Sequence, residues 1–133
     1  MPILTDFKLP SSAEGLDIPT TANSAFFLSF HASPDPKTGR PWCPDVVAAL
    51  PHLREVFSAP DSPQVAFINV GQPPAWRNLC NVYRSKWNVN SVPTLVRYER
   101  VDGAVEEVGR LTEGQILDRA RLEKLVYGRA ARI

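Results

Sequence analysis

Two near-continuous apolar runs, Ala25-Phe26-Phe27-Leu28-Ser29-Phe30 and Val65-Ala66-Phe67-Ile68-Asn69-Val70, flank a stretch of helical periodicity. Each run has the length of a strand, and hydrophobicity on successive residues suits a strand buried on both faces. Between them Val46, Leu50, Leu53 and Phe57 recur at spacings of four, three and four. That gathers them on one face of a helix running from Cys43 to about Phe57. A strand, a crossover helix and a second strand require a parallel pair, so the chain reads as α/β. Pro44 sits where a first helical residue belongs, and its missing N–H costs nothing there. Pro51 lies inside the helix and is expected to remove one hydrogen bond and kink it.

Residues 3–9 alternate loosely, as an edge strand does. Residues 10–24, with Pro10, Gly15 and Pro19, predict at most a short or irregular helix. A loop from Ala32 to Pro41 leads into Trp42-Cys43, and Ala59 to Pro63 breaks the chain after the helix. Gly71-Gln72-Pro73-Pro74 ends the second strand, and a short helix is predicted from about Trp76 to Trp87. Thr94 to Glu99 and Val105 to Val108 read as strands around Asp102-Gly103, a strong hairpin signal. Thr112 and Gln115 form a capping box that starts a last helix at Glu113, with Gly128 to close it. The expected architecture is a central mixed sheet flanked by helices on both faces, in a single domain over residues 1–133.

Charge and composition exclude several functions. Fifteen Lys+Arg against fourteen Asp+Glu leave a formal charge of +1, so no bulk basic field attracts nucleic acid. No apolar run approaches the ~20 residues of a membrane helix, and no membrane partner is expected. Met1-Pro2-Ile3-Leu4-Thr5-Asp6 lacks the basic region, apolar core and cleavage site of a secretory signal. Two cysteines do not make a disulfide-stapled scaffold. The expected location is cytoplasmic, where thiols are kept reduced. His31 and His52 are scattered, give no zinc spacing with a cysteine, and are assigned structural or surface roles. No metal or cofactor is expected. Trp76 and Trp87 read as core or pocket-wall residues. Arg119, Arg121, Arg129 and Arg132 read as a solvated cationic face near a helix C-terminus.

Cys43 carries the candidate chemistry. It follows a loop and opens a helix, so its thiol faces unsatisfied backbone N–H groups and the positive end of the helix dipole. Both favour the thiolate, the nucleophilic form. Asp45 in the first turn acts the other way. A lone cysteine is often an inert buried one; the Trp-Cys-Pro context behind a loop argues here for a reactive thiol.

Trp42-Cys43-Pro44-Asp45-Val46 resembles the Trp-Cys-Pro-Asp-Cys active site of the Clot-type thioredoxin-related proteins, the thioredoxin domain-containing protein 17 family. Val70-Gly71-Gln72-Pro73-Pro74-Ala75-Trp76-Arg77-Asn78 resembles that family's stretch after the third strand. Val92-Pro93-Thr94-Leu95 resembles the cis-proline strand start shared by thioredoxins. The likeness covers about residues 25 to 100 well and the ends weakly; the family's regular first helix is not legible in residues 10–24. A thioredoxin-like fold is what this resemblance implies.

It also implies roles. Cys43 would be the catalytic thiol, and Trp42, Pro44, Asp45, Val92 and Pro93 would line its substrate groove. Val92 would offer its backbone to an extended substrate, as in strand addition. The decisive departure is Val46, where the family has its second, resolving cysteine. A dithiol enzyme uses that thiol to break its own mixed disulfide, and valine has no such chemistry. Cys80 is a candidate replacement, set against the reading of a free thiol packed on the helix after the third strand. The apolar strand Phe26 to Phe30 also holds no acid of the kind thioredoxins bury to assist the resolving thiol. The expected function is a monothiol oxidoreductase forming mixed disulfides or S-adducts at Cys43, resolved by an external thiol such as glutathione. Its partners would be small disulfides and disulfide-bearing or S-modified proteins. The resemblance implies thioredoxin reductase as electron donor, and the missing second cysteine argues against it. The alternatives are a non-catalytic interaction module on the same fold and a redox sensor that uses Cys43.

Overall fold

The structure, a computed structural model, describes residues 3–19 and 24–127. Five strands form one mixed sheet: β1 (Ile3–Leu4), β2 (Phe26–His31), β3 (Gln64–Asn69), β4 (Thr94–Val101) and β5 (Ala104–Thr112), in the order β1-β3-β2-β4-β5. β3 runs parallel to both β1 and β2, with Phe27 opposite Val65 and Phe30 opposite Ile68. β4 is antiparallel to β2 and to β5, with Phe30 opposite Thr94. The crossover helix α1 (Pro44–Phe57) joins β2 to β3, as the apolar runs require.

β2 and β3 are central, and their alternate residues feed two cores. Phe26, Leu28 and Phe30 pack with Ala66, Ile68, Trp76 and Trp87 on one face. Phe27 and Val65 pack with Ala49, Leu53, Phe57, Leu122 and Val126 on the other. The first face is covered by two short helices, α2 (Pro73–Arg77) and α3 (Val82–Trp87), and by a 3-10 turn at Ala13–Gly15. The second is covered by α1 and the last helix, α4 (Arg119–Tyr127). Arg119 ties these two helices together through Glu55, at 3.1 Å.

Four expectations are corrected. The edge strand predicted over residues 3–9 shrinks to Ile3–Leu4. The helix predicted from Trp76 to Trp87 is two helices. The first starts at Pro73, since proline fits a first turn. The second is capped by Asn81, whose side chain accepts the Tyr83 N–H. The Thr112–Gln115 capping box exists, but it opens a 3-10 turn (Glu113–Leu117) rather than the last helix. α4 instead starts after Asp118, whose carboxylate accepts the N–H groups of Ala120 and Arg121. The second hairpin strand extends over nine residues, Ala104–Thr112, because a bulge at Val108 breaks its alternation. α1 passes through Pro51 unbroken; Pro51 and Val47, whose carbonyl lacks its helical partner, both lie on the exposed side. Gly128, Arg129 and Arg132 lie outside the described residues. No helix among the described residues is long and apolar enough to cross a membrane.

Candidate functional site

β2 ends at His31, and the chain then makes a small closed loop before α1. Pro34 and Pro41 bridge its ends. Inside it, the Asp35 carbonyl accepts the N–H of Gly39 at 2.7 Å, and the Asp35 carboxylate accepts that of Lys37. Gly39 takes a φ of 73°, a turn conformation that glycine adopts without a steric penalty.

This loop is locked to the segment after β3. The indole Nε1 of Trp42 donates to the Gly71 carbonyl at 2.8 Å, and the Gly71 N–H donates to Ser33 Oγ at 2.8 Å. The Trp42 N–H reaches the Ser33 carbonyl at 3.3 Å. Gly71 has a φ of 108°, where an L side chain is strained. The side chain of Asn81 completes the lock by donating to the Val70 and Ala75 carbonyls.

Cys43 is the N-cap of α1, with extended backbone at φ −101° and ψ 121°. Its carbonyl accepts the N–H groups of Val46 and Val47 at 3.0 and 3.2 Å. Its thiol does not cap the helix. The sulfur lies instead 3.8 Å from the carbonyl oxygen of Val92, and the thiol is half-buried. The Val92–Pro93 peptide is cis. The turn around it is held by the Thr94 hydroxyl donating to the Ser91 carbonyl and by the Glu113 N–H donating to the Pro93 carbonyl. Trp42, Cys43, Pro44, Val92 and Pro93 therefore converge at one end of the sheet, with Asp45 exposed in the first turn of α1. A cavity of about 420 Å³ opens beside them, lined by Asp35, Arg40, Trp42, Pro44 and Val47 among others.

Val46 is fully buried in the core that holds Phe30 and Val92. The first turn of α1 thus offers one thiol and, behind it, a sealed apolar side chain. Cys80 is also free, but it is exposed on the turn between α2 and α3, where its N–H donates to the Asn78 side chain. The reading of Cys80 as a packed thiol is corrected, because the break after Arg77 puts it on a surface turn rather than within a helix.

Sequence reasoning missed a polar pair in the same strand. Ser29 and His31 are both buried, and Ser29 Oγ lies 2.7 Å from His31 Nε2. Burial first, then the positive charge of Arg54, pushes the His31 imidazole down to about 3. The signal was present: two polar residues two apart in an apolar strand share one face. His31 Nε2 pairs with Ser29 and the Cys43 sulfur with the Val92 carbonyl, and no hydrogen bond joins His31 to Cys43 among the described residues.

The family model described as thioredoxin domain-containing protein 17-like, thioredoxin domain, matches residues 11–127. Thioredoxin domain-containing protein C21C3.12c of Schizosaccharomyces pombe is 32% identical over 118 residues, covering 89% of this chain and 95% of that protein. The thioredoxin-like protein Clot of Arabidopsis thaliana is 34% identical over 105 residues, covering 74% of this chain and 78% of its own length. In three dimensions the chain resembles a thioredoxin of Plasmodium falciparum with a TM-score of 0.51. That match covers 80% of this chain and 75% of the other at 14% identity, a likeness of fold alone.

Proposed function

The chain belongs to the thioredoxin domain-containing protein 17-like family, and from that membership we propose that it is a monothiol thioredoxin-like oxidoreductase working through Cys43. The observation that carries the reading is the contrast within one helical turn. A half-buried thiol at the N-cap of α1 faces the Val92 carbonyl, while position 46 is a sealed valine.

The proposed cycle balances without a second protein thiol. The Cys43 thiolate attacks one sulfur of a disulfide R–S–S–R′. The Cys43–S–S–R bond forms as the old bond breaks, and R′–S⁻ leaves and takes up a proton. An external thiolate then attacks the sulfur of R, returns Cys43 as thiolate and carries R away as a mixed disulfide. A second external thiol reduces that product. Two external thiols are thereby oxidised to one disulfide for each substrate disulfide reduced. Trp42, Pro44, Asp45, Val92 and Pro93 are the proposed groove residues, and glutathione is the proposed external thiol.

The test supplies cystine with either of two electron sources and follows NADPH. Glutathione with glutathione reductase should sustain turnover above the uncatalysed rate. Thioredoxin reductase alone should not. Cys43→Ser should abolish both turnover and the Cys43 adduct seen by intact mass. Turnover that survives Cys43→Ser would sink the proposal. Reductase-driven turnover lost in both Cys43→Ser and Cys80→Ser would replace the monothiol cycle by one in which Cys80 resolves.

A further inference from the structure

Behind the loop that leads into Cys43, against α1, lies a separate cavity of about 300 Å³. Thr5, His31, Arg40, Arg54, Phe67 and Asn69 contribute to its lining, and no carboxylate among the described residues does. The Arg54 guanidinium stands 5.4 Å from the Phe67 ring centroid, and the His31 ring meets the same Phe67 edge-on at 4.7 Å. Neither Arg40 nor Arg54 has a carboxylate partner among the described residues. Arg40 and Arg54 therefore both line one concavity whose lining holds no carboxylate, and Arg40 also borders the cavity beside Cys43.

The buried histidine adds an oriented donor. His31 is 3% exposed, and Ser29 is sealed beside it. The Ser29 hydroxyl has His31 Nε2 as its side-chain hydrogen-bond partner among the described residues. A buried O–H without an acceptor is costly, so Ser29 donates and Nε2 accepts. Burial and the Arg54 charge keep the ring neutral. A neutral imidazole that accepts at Nε2 carries its proton on Nδ1. Nδ1 has no partner among the described residues and is not among the sealed, unpaired atoms, so this N–H opens on the cavity that His31 lines.

We propose that this cavity binds a phosphate group, free or at the end of a small phosphorylated compound. Arg40 and Arg54 supply the charge, and the His31 Nδ1–H supplies a fixed neutral donor. The Thr5 hydroxyl and the Asn69 amide bring the donor groups beyond what the two oxygens of a carboxylate use, whereas a phosphate offers enough acceptors and the charge to match two guanidiniums. The site does not depend on the redox reading, because none of its ligands is Cys43 or a groove residue proposed above.

Titration of the full chain with inorganic phosphate at constant ionic strength tests it, read by calorimetry and by ¹⁵N NMR of the histidine rings. We expect saturable binding of one phosphate per chain. Arg40→Gln and Arg54→Gln should each weaken it at least tenfold, while Arg77→Gln, on α2, leaves it unchanged. Both lining arginines are exposed, so these variants retain the fold. The free protein should show His31 protonated at Nδ1, and that resonance should shift on binding. A glycerol phosphate arm separates the two sources: tighter binding of the ester assigns the phosphorylated compound, and equal or weaker binding assigns free phosphate. Absence of saturable binding, equal weakening by Arg77→Gln, or a His31 proton on Nε2 would overturn the proposal.

Discussion

The sulfur of Cys43 and the carbonyl oxygen of Val92 face one another at 3.8 Å, across 49 positions of sequence. The sheet topology brings them together. β2 runs toward the site and hands the chain to the loop before Cys43. β4 runs away from it, paired antiparallel to β2 through Phe30 and Thr94, so Val92 and Pro93 lie at the same end. The backbone that fixes the thiol is thus the backbone proposed to hold its substrate.

The first prediction separates intrinsic reactivity from access. Cys80 is exposed and Cys43 only half so. If access alone governed alkylation, Cys80 would react first. Cys43 sits at the start of a fourteen-residue helix, its sulfur in the groove where the proposed chemistry needs a nucleophile. Iodoacetamide at neutral pH, followed by peptide mass spectrometry, should therefore label Cys43 several-fold faster than Cys80. The reverse order would favour the interaction-module reading.

The second concerns Gly71. Its carbonyl anchors the Trp42 indole, and its φ of 108° is a conformation that L residues rarely adopt. A Cβ there would also lie 3.0 Å from the Ala75 Cβ. Gly71→Ala should cost about 1–3 kcal/mol in urea unfolding. It should also slow mixed-disulfide formation at Cys43, because the wall made by Trp42 moves with its anchor. A variant with unaltered stability and rate would show that the anchor is dispensable.

The parts of this architecture written as local pattern were legible. The apolar runs predicted β2 and β3, the four-three-four spacing predicted α1, and Asp102-Gly103 predicted the β4–β5 turn. What escaped were features decided by competing caps or by long-range contact. Two adjacent cap signals, Thr112 and Asp118, divide the start of the last helix between a 3-10 turn and α4. Asn81 could have been read as the cap that splits the helix predicted over residues 76–87. At the site, the Cys-Pro start and the Val-Pro step were visible, while the sealing of Val46 was not, since one helical face does not say how closely a neighbour packs. The Ser29–His31 pair was visible as two polar residues, and its cavity was not, because Arg40, Arg54 and Thr5 reach it from three separate segments.

The third prediction uses His31. Its folded-state value of about 3 lies below the ordinary 6.5. Between these values the unfolded chain binds a proton that the folded protein excludes, so stability rises with pH across that window. The contribution is fully present above about pH 6.5 and is lost as pH falls toward 3. Between pH 7 and pH 5 about 2 kcal/mol of it should be lost. Urea unfolding of the protein and of His31→Gln at both pH values isolates it, because carboxylate titration is common to both. Parallel pH profiles would mean that the folded ring does titrate.

The last prediction returns to position 46. The Val46 N–H bonds to the Cys43 carbonyl at 3.0 Å, so both residues belong to the first turn and sit three apart on one edge. That is the spacing at which a Cys-x-x-Cys disulfide closes. Val46 is fully buried, so Val46→Cys trades a packed branched side chain for a smaller one. The cost should be about 1–2 kcal/mol by analogy with small core truncations. The reduced variant should stay folded, lose two thiols to diamide and regain them with dithiothreitol. If the proposed groove around Trp42 and Val92 works as argued, the oxidised and reduced forms should cycle. The variant should then reduce cystine without the external resolving thiol that the parent chain requires. A variant that closes the bridge and reduces nothing would transfer the weight to the interaction-module reading. A folded variant that fails to close it would show that the first turn of α1 does not hold the two side chains as its hydrogen bonding indicates.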